Sequence, residues 1–238
     1  MTDARAPLIS LVTQLFRRIF ISFLFLFLIF IATGCGSSMY FSTPNNVQRE
    51  KVVLYLTDSS KITGQITVSF ERYYSSLLTI PPYIEFIREG HINKERIDLK
   101  NILGYAFGQD YFALKKVDIF MTNIYRLLFV KRLTPANSKI QLYELHESGY
   151  GNATDEARYS YYLSLPGYSP LTTINAKSSD VVPDFDVKVS KMVAGCPVLA
   201  DKIRNKEKGY FLPAVTFDAK RPSEVLLKII NEYNECLR

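Results

Sequence analysis

The chain has 238 residues, a formal net charge of +6, three cysteines and no tryptophan. Its basic residues are interspersed with acids, as in Glu85, Arg88 and Glu89, so the positive balance forms no basic stripe and we expect no nucleic-acid partner. A hydrophobic content of 47% supplies a folded core and excludes a disordered polymer.

The first predicted element is an N-terminal leader. Arg17 and Arg18 precede an apolar block at residues 19–32. A helix needs roughly 20 apolar residues to cross a bilayer core, so this block is short for a membrane span. A basic start, a short apolar centre and small residues at the end are the parts of a secretory signal. We therefore predict a signal peptide over residues 1–34.

The leader ends in Ala32, Thr33, Gly34 and Cys35. This sequence resembles the lipobox of bacterial lipoproteins, although that family most often has Leu at the first position. The resemblance implies cleavage before Cys35, acylation of its sulfur by fatty acids such as palmitate, and a membrane anchor. Gly36 stands where some Gram-negative lipoproteins carry an Asp that retains them in the inner membrane. The outer membrane is therefore favoured.

Two other interpretations of the leader stay open. It could be an uncleaved N-terminal membrane anchor, or an ordinary signal peptide that is removed without lipidation. All three interpretations place the body of the protein outside the cytoplasm. In the lipoprotein interpretation, residues 35–49 form a lipidated tether that begins with the flexible residues Gly36, Ser37 and Ser38.

Cys196 and Cys236 are the two cysteines that remain once Cys35 is acylated. In an oxidising compartment such a pair indicates a disulfide, which would close a loop of about 40 residues and stabilise the fold by about 4 kcal/mol. The alternative is two buried free thiols. We predict no metal site, because two thiols with distant histidines lack the ligand spacing of zinc sites.

Residues 50–183 are predicted to form a β-rich domain. Residues 61–70 alternate apolar and polar side chains, as a half-exposed strand does, and Gly64 in their middle indicates a bulge or a tight bend. Residues 166–183 are predicted to be an irregular surface crossing. The other predicted strands are 52–57, 77–80, 83–88, 126–133, 139–145 and 158–165. Residues 96–105 alternate less cleanly, and residues 110–123 are ambiguous between strand and helix.

A C-terminal helical segment, residues 184–238, is predicted to pack on the β-rich domain. Pro197 suits the first turn of one helix, and apolar residues recur at helical spacing over 226–237 in a second. Cys236 falls on that apolar side, so a bridge to Cys196 would clamp the two helices. The predicted fold class is α+β: an antiparallel β-rich body, either a sheet or a partly open barrel, followed by a C-terminal helix pair.

No catalytic signature accompanies these elements. His91 and His146 lack partners at metal-ligand spacing, so we predict no metal, no cofactor and no enzyme activity. Tyr111 and Lys115 have the Tyr-x-x-x-Lys spacing of some dehydrogenases, but no βαβ nucleotide fold surrounds them. The C-terminal Cys-Pro and the final Glu-Tyr-Asn-Glu-Cys resemble uncharacterised secreted or lipid-anchored proteins of Gram-negative bacteria, a resemblance that implies no activity.

Five tyrosines form the candidate ligand surface: Tyr150, Tyr159, Tyr161, Tyr162 and Tyr168. Tyrosine has a flat apolar ring with a polar tip, which suits sugar and protein surfaces. In a strand, Tyr159 and Tyr161 would share one face and Tyr162 the other, so we expect some of them to be core residues.

The leading hypothesis is a membrane-anchored envelope lipoprotein with a non-enzymatic structural or partner-binding role, and an envelope protein as its partner. The first alternative is a module that binds a glycan or another small ligand through the five tyrosines. The second alternative is an unrecognised hydrolase.

Overall fold

One antiparallel sheet and a C-terminal group of helices make up the part of the chain that the structure, a computed structural model, describes. The described residues are 39–75, 79–119, 124–147, 158–164, 171–173, 184–213 and 221–237. Within them, eleven strands belong to a single sheet, and three of the four α-helices follow it. The α+β class with an antiparallel β-rich body is therefore confirmed.

The strands of the described residues have the following bounds. They are β1 (Tyr40–Thr43), β2 (Asn46–Leu56), β3 (Lys61–Ser69), β4 (Tyr83–Arg88), β5 (Glu95–Asp98), β6 (Ile102–Phe107), β7 (Asp110–Ile119), β8 (Ile124–Arg132), β9 (Gln141–Glu147), β10 (Arg158–Ser164) and β11 (Thr172–Thr173). The order across the sheet is β11-β10-β9-β8-β7-β6-β2-β3-β4-β5, and β1 pairs with β2 outside this path.

The helices come at two places in the chain. Their bounds are α1 (Phe70–Ser75), α2 (Phe185–Met192), α3 (Pro197–Arg204) and α4 (Arg221–Cys236). Only a helix pair was predicted for the C-terminal segment, whereas α2, α3 and α4 make three. The additional helix α2 begins after Asp184, a residue type favoured at N-caps, but here Asp184 makes no side-chain capping bond and has a left-handed φ of 58°.

The strand register assigns each residue to one of two faces of the sheet, because opposed residues in antiparallel strands point the same way. Leu54 is opposite Tyr105, and Tyr105 is opposite Phe112. We call the face that carries these three residues the first face. The second face carries the alternate residues, which include Tyr55 and Tyr111.

The first face of the strands β2, β3, β4, β6, β7 and β8 carries the main apolar core. Its ring contacts centre on Phe129 of β8, which lies 4.9 Å from the Tyr105 ring and 5.8 Å from Phe70 at the start of α1. The fully or nearly fully buried residues of this core include Val52, Leu54, Ile66, Ile84, Phe86, Tyr105, Phe112 and Phe129. The apolar residues of the alternating strands therefore meet under α1.

Asn45, in the turn between β1 and β2, joins this core to β8. Its amide Nδ2 donates to the carbonyl oxygen of Phe129 (3.0 Å), and its Oδ1 accepts from the Phe129 N–H (2.9 Å). In the described residues β8 pairs with β9 only at Lys131 and Arg132, which leaves Phe129 outside that ladder. The side-chain amide thus satisfies both backbone groups as a strand partner would.

The backbone around Asn45 is equally well bonded. The N–H groups of Phe70 and Glu71, at the start of α1, both donate to the Asn45 carbonyl oxygen. Thr43 Oγ1 accepts from the Asn45 N–H and donates to Glu71 Oε1. Tyr105 Oη donates to the carbonyl oxygen of Pro44 at 2.9 Å. The first N–H groups of this short helix are therefore bonded by a buried turn.

The second face carries its own buried residues on β7 to β10. They include Ala113, Val117, Leu128, Val130, Tyr143, Leu145 and Tyr162, with Leu171 packed against them. The N–H of Leu171 donates to the carbonyl oxygen of Lys116 on β7 at 3.2 Å. The chain beyond β10 therefore returns to β7, and parts of β7 and β8 are buried on both faces, although Tyr125 and Leu127 on the first face of β8 are exposed.

The C-terminal helices cover the first face of β9 and β10. Leu142, Tyr161 and Leu163 of these strands belong to a second apolar core. The helix residues of this core include Val189, Leu199, Ile203, Leu226, Ile229 and Ile230. Because successive strand residues alternate, β9 inserts Leu142 into the helical core and Tyr143 into the opposite face.

Three details differ from the sequence-based predictions. The strands begin at Tyr40, so residues 40–49, predicted as tether, form β1 and the start of β2. Residue 70, predicted as the end of a strand, opens α1. Gly64 lies in a regular ladder, and a Cβ there would come within 2.2 Å of the Ile87 carbonyl oxygen. The bulge of this hairpin lies instead at Arg49, whose φ is 53°.

We expect Asn45→Ala to lower the free energy of unfolding by about 2–4 kcal/mol. The substitution leaves the buried N–H and carbonyl of Phe129 without partners, at about 1–3 kcal/mol for each unsatisfied group. Urea denaturation measures the change. Asn93→Ala, at an exposed position between β4 and β5, is the control and should stay within about 0.5 kcal/mol of wild type. Equal stability of the two variants would contradict the role of Asn45.

Candidate functional site

Several sequence-predicted site residues fall outside the described part of the chain, namely Cys35, Tyr150 and Tyr168. The two histidines lie apart: His91 is exposed after β4, and His146 on β9 stacks on the Tyr159 ring with centroids 4.8 Å apart. Within the described ranges, no group of three or more His, Cys, Asp or Glu side chains could hold a metal ion.

The described tyrosines of the candidate ligand surface do not form one surface. Tyr159 is 41% exposed, whereas Tyr161 and Tyr162 are only 5% and 4% exposed. Tyr161 packs in the helical core and Tyr162 in the second-face core. The interpretation of Tyr161 and Tyr162 as ligand-binding residues is therefore corrected: β10 is covered on both faces, so neighbouring rings fill two different cores.

The structure brings Cys196 and Cys236 to disulfide distance, with the Sγ atoms 2.13 Å apart and the Cα atoms 6.1 Å apart. The pair joins the N-cap of α3 to the last residue of α4. Cys196 is buried, but Cys236 is exposed, contrary to the prediction that it lies on the apolar side. The last turn of α4 extends past the helical core, and Leu237 beyond it is 42% exposed.

A polar cleft of about 280 Å³ lies beside this disulfide, between the β8–β9 loop and α4. The N–H of Lys139 donates across it to Asn234 Oδ1 at 3.2 Å. Its other lining residues are Pro135, Asn137, Ser138, Asn231, Glu235 and Leu237. The hydrogen bond ties the strand hairpin to α4, so the cleft has a structural role in the packing of the helix.

The second face carries a row of alternating aromatic rings and cations, which we call the tyrosine–cation row. Its members are Tyr55 on β2, Lys61 on β3, Tyr111 and Lys115 on β7, Arg132 on β8 and Tyr143 on β9. Arg132 and Tyr143 are directly opposed in the register, and Tyr111 and Lys115 lie on the same face of their strand. The row therefore crosses the sheet from β3 to β9.

The contacts within the row are short. The Arg132 guanidinium carbon lies 4.5 Å from the centroid of the Tyr111 ring, and Lys115 Nζ lies 5.5 Å from that of Tyr143. Tyr111 also meets Tyr55 edge to face, with ring centroids 5.2 Å apart. The two cation-to-ring distances lie within the range in which a ring face attracts a cation.

Gly104 of β6 makes room for this arrangement. A Cβ at this position would lie 2.8 Å from the Tyr111 hydroxyl oxygen and 2.3 Å from the Phe112 carbonyl oxygen. Gly104 is opposed to Ala113 on β7 and to Tyr55 on β2. The Tyr111 ring can therefore lie across β6 and reach Tyr55, because Gly104 has no side chain to block it.

The titratable groups of the row affect one another. Burial raises the pKa of Tyr143 to about 12, although the positive charge of Arg132 acts in the opposite direction. Burial also raises the pKa of Tyr111, and again Arg132 opposes the shift. Burial, together with repulsion from Arg132, lowers the pKa of Lys115. The two cations Lys115 and Arg132 thus share a partly desolvated site and repel each other.

Part of this row is visible in the sequence as the spacing of two residues on β7. The four-residue spacing of Tyr111 and Lys115, considered above as a dehydrogenase motif, places both on one face of a strand. The alternation of Tyr111, Ala113, Lys115 and Val117 was the available signal. Arg132 and Tyr143 join the row only through strand register, which the local sequence does not contain.

No protein-family model, no curated protein and no solved structure matches this chain. Among the helices of the described segments, none combines the length and apolar character needed to span a bilayer. The function of the protein must therefore be inferred from this chain's own residues.

We expect Tyr143→Phe to make the protein less sensitive to alkali. A raised pKa in the folded state gives stability that is complete below the unfolded value near 10 and is lost as the pH rises to about 12. Two pKa units correspond to about 3 kcal/mol, which the variant would not lose because it has no phenol. Urea denaturation between pH 8 and pH 12 measures this difference.

At neutral pH, Tyr143→Phe should be less stable by about 1 kcal/mol, because the Tyr143 hydroxyl donates to Gln141 Oε1. The stability curves of variant and wild type should therefore converge or cross above pH 10. Curves that stay parallel from pH 8 to pH 12 would show that Tyr143 does not titrate as the buried geometry requires.

We expect the double variant Cys196→Ser/Cys236→Ser to lose about 4 kcal/mol of unfolding free energy, because a bridge across 40 residues restricts the unfolded chain. Intact mass before and after reduction should show two hydrogens gained by the wild type and none by the variant. Reductant should lower the stability of the wild type only. A wild type indifferent to reductant would exclude a stabilising bridge.

Proposed function

We propose that this protein is a lipid-anchored component of the bacterial cell envelope with a non-enzymatic structural or partner-binding role. In this proposal, acylated Cys35 holds it on the outer membrane, its body faces an extracytoplasmic compartment, and its partner is an envelope protein.

The observation that carries the proposal is the use of all three cysteines. One lies in the lipobox-like sequence, and the other two are at disulfide distance. Structural disulfides persist in oxidising compartments and are rare in the cytosol. The leader and the cysteine pair are independent features of the chain, and both support export.

The tyrosine–cation row supports a binding role for the body. Tyrosine and arginine are enriched in the energetically important parts of binding sites, where a rigid ring or a planar guanidinium makes large contacts. Tyr55, Tyr111 and Arg132 are half-buried and keep part of their surface accessible. A sheet with such a row on one face and helices packed on the other offers a recognition surface on a rigid support.

The two alternatives remain hypotheses. A glycan-binding module that uses the five tyrosines would depend on Tyr159 among the described residues, since Tyr161 and Tyr162 are buried. An unrecognised hydrolase would need a nucleophile and a base that no sequence motif identifies. Glycan-array binding that is abolished in Tyr159→Ala would promote the first alternative over the leading proposal.

We expect Cys35→Ser to abolish membrane anchoring. Expressed in a Gram-negative host, the wild type should fractionate with membranes and, after detergent extraction, have the mass of residues 35–238 plus acyl chains. The variant has no sulfur to accept the lipid, so it should lack the added mass.

Cys196→Ser/Cys236→Ser is the matched control, because it changes the other two cysteines and should retain the acyl mass. Full-length, unmodified wild-type protein in the cytosol would overturn the proposal. Co-purification of a second envelope protein with the detergent-extracted wild type, at a constant ratio, would support the partner-binding role.

A further inference from the structure

Two cations of the tyrosine–cation row, Lys115 and Arg132, have no carboxylate partner in the described residues. Two other half-buried cations are paired with carboxylates: Lys131 contacts Asp110 at 2.8 Å, and Lys202 contacts Glu232 at 2.5 Å. The contacts of Arg132 and Lys115 are instead the ring faces of Tyr111 and Tyr143. This absence of a counter-charge distinguishes them.

The positive charges of Lys115 and Arg132 are not neutralised by a carboxylate of the described residues. Partly desolvated charges are unfavourable unless they are paired, and two like charges close together add repulsion. A ring face attracts a cation, but it offers no opposite charge and no hydrogen-bond acceptor in the geometry of a carboxylate or phosphate. Both effects act on the same two side chains, and an anion placed between them would relieve both.

We propose that Arg132 and Lys115 form a binding site for the phosphate or carboxylate group of a small anionic ligand. This inference is independent of the lipid anchor and adds a ligand class to the binding role. The planar fork of Arg132 can bind two oxygens of such a group at once, and Lys115 supplies a second positive charge.

The rest of the row limits the size of the ligand. Tyr143 is 1% exposed and forms the floor, whereas Tyr55 and Tyr111 are half-buried and form an apolar wall. Lys61, fully on the surface at the far end, lies 5.1 Å from the Tyr55 ring centroid. A compact oxyanion attached to a small apolar or ring-shaped group fits this combination of charge and wall.

The test uses the full-length protein in a neutral, uncharged detergent and measures binding by calorimetric titration. The probes are inorganic phosphate, citrate and a short-chain phosphatidic acid, each in a buffer with little other anion. Wild type should bind at least one probe saturably. Lys115→Gln/Arg132→Gln should weaken that binding at least tenfold, as the loss of charge-assisted bonds implies.

Lys116→Gln is the matched control. Lys116 neighbours Lys115 on the same strand, lies on the opposite face and also contacts a tyrosine ring, that of Tyr125 at 5.0 Å. The variant removes one positive charge from the other face of β7 and should bind as wild type does. Arg132→Lys retains the charge but loses the planar fork, so its binding should fall between those of wild type and the double variant.

Thermal unfolding supplies a second readout that a purely structural role would not produce. Without added anion, the double variant should unfold at a temperature equal to or above that of wild type, because the repulsion is gone. With the bound probe added, only wild type and Lys116→Gln should gain stability.

The possible results separate clearly. Phosphate or citrate binding that depends on Lys115 and Arg132 supports a soluble ligand. Binding of phosphatidic acid alone, with the same dependence, supports a lipid headgroup. The absence of saturable binding to every probe, or equal binding by wild type and the double variant, would overturn the proposal. Neither of these negative results would affect acylation at Cys35.

Discussion

The architecture depends on the two hydrogen bonds between the Asn45 amide and the backbone of Phe129. They connect a turn near the start of the sheet to β8, which lies three positions away from β2 in the strand order. The sheet must coil for these atoms to meet, and the coil encloses the rings of Phe70 and Tyr105. A hydrophobic core alone is non-directional, so this amide specifies which strand closes over it.

A consequence of that coil is that β7 and β8 are covered on both faces. Phe112 and Phe129 fill the first face, while Val117 and Val130 fill the second. This cover is incomplete, because Lys115 in the middle of β7 is half-buried and Lys116, Tyr125 and Leu127 are exposed. Arg132 is the last residue of β8, and this position explains how a cation can lie beside a buried ring and still reach solvent.

Local sequence patterns predicted the elements better than their contacts. Alternation and the flanking Pro and Gly gave β4 at residues 83–88 as observed, and helical spacing predicted α3 and α4. The close packing of Gly64 against β4 and the burial of Tyr161 and Tyr162 were not predictable, because each depends on a neighbour distant in sequence. In addition, a strand that is buried on both faces does not alternate polar and apolar residues, so its sequence does not show which side chains are exposed.

The disulfide pair and the tyrosine–cation row meet through β9. Leu142 packs among the helices that Cys196 and Cys236 join, and the next residue, Tyr143, faces Lys115 on the other side of the sheet. The helices also hold the preceding loop through the Lys139–Asn234 hydrogen bond. Constraints on the helical side therefore fix the position of the ring that forms the floor of the proposed anion site. An oxidising compartment, which maintains the bridge, would in this way also maintain the geometry of the binding face.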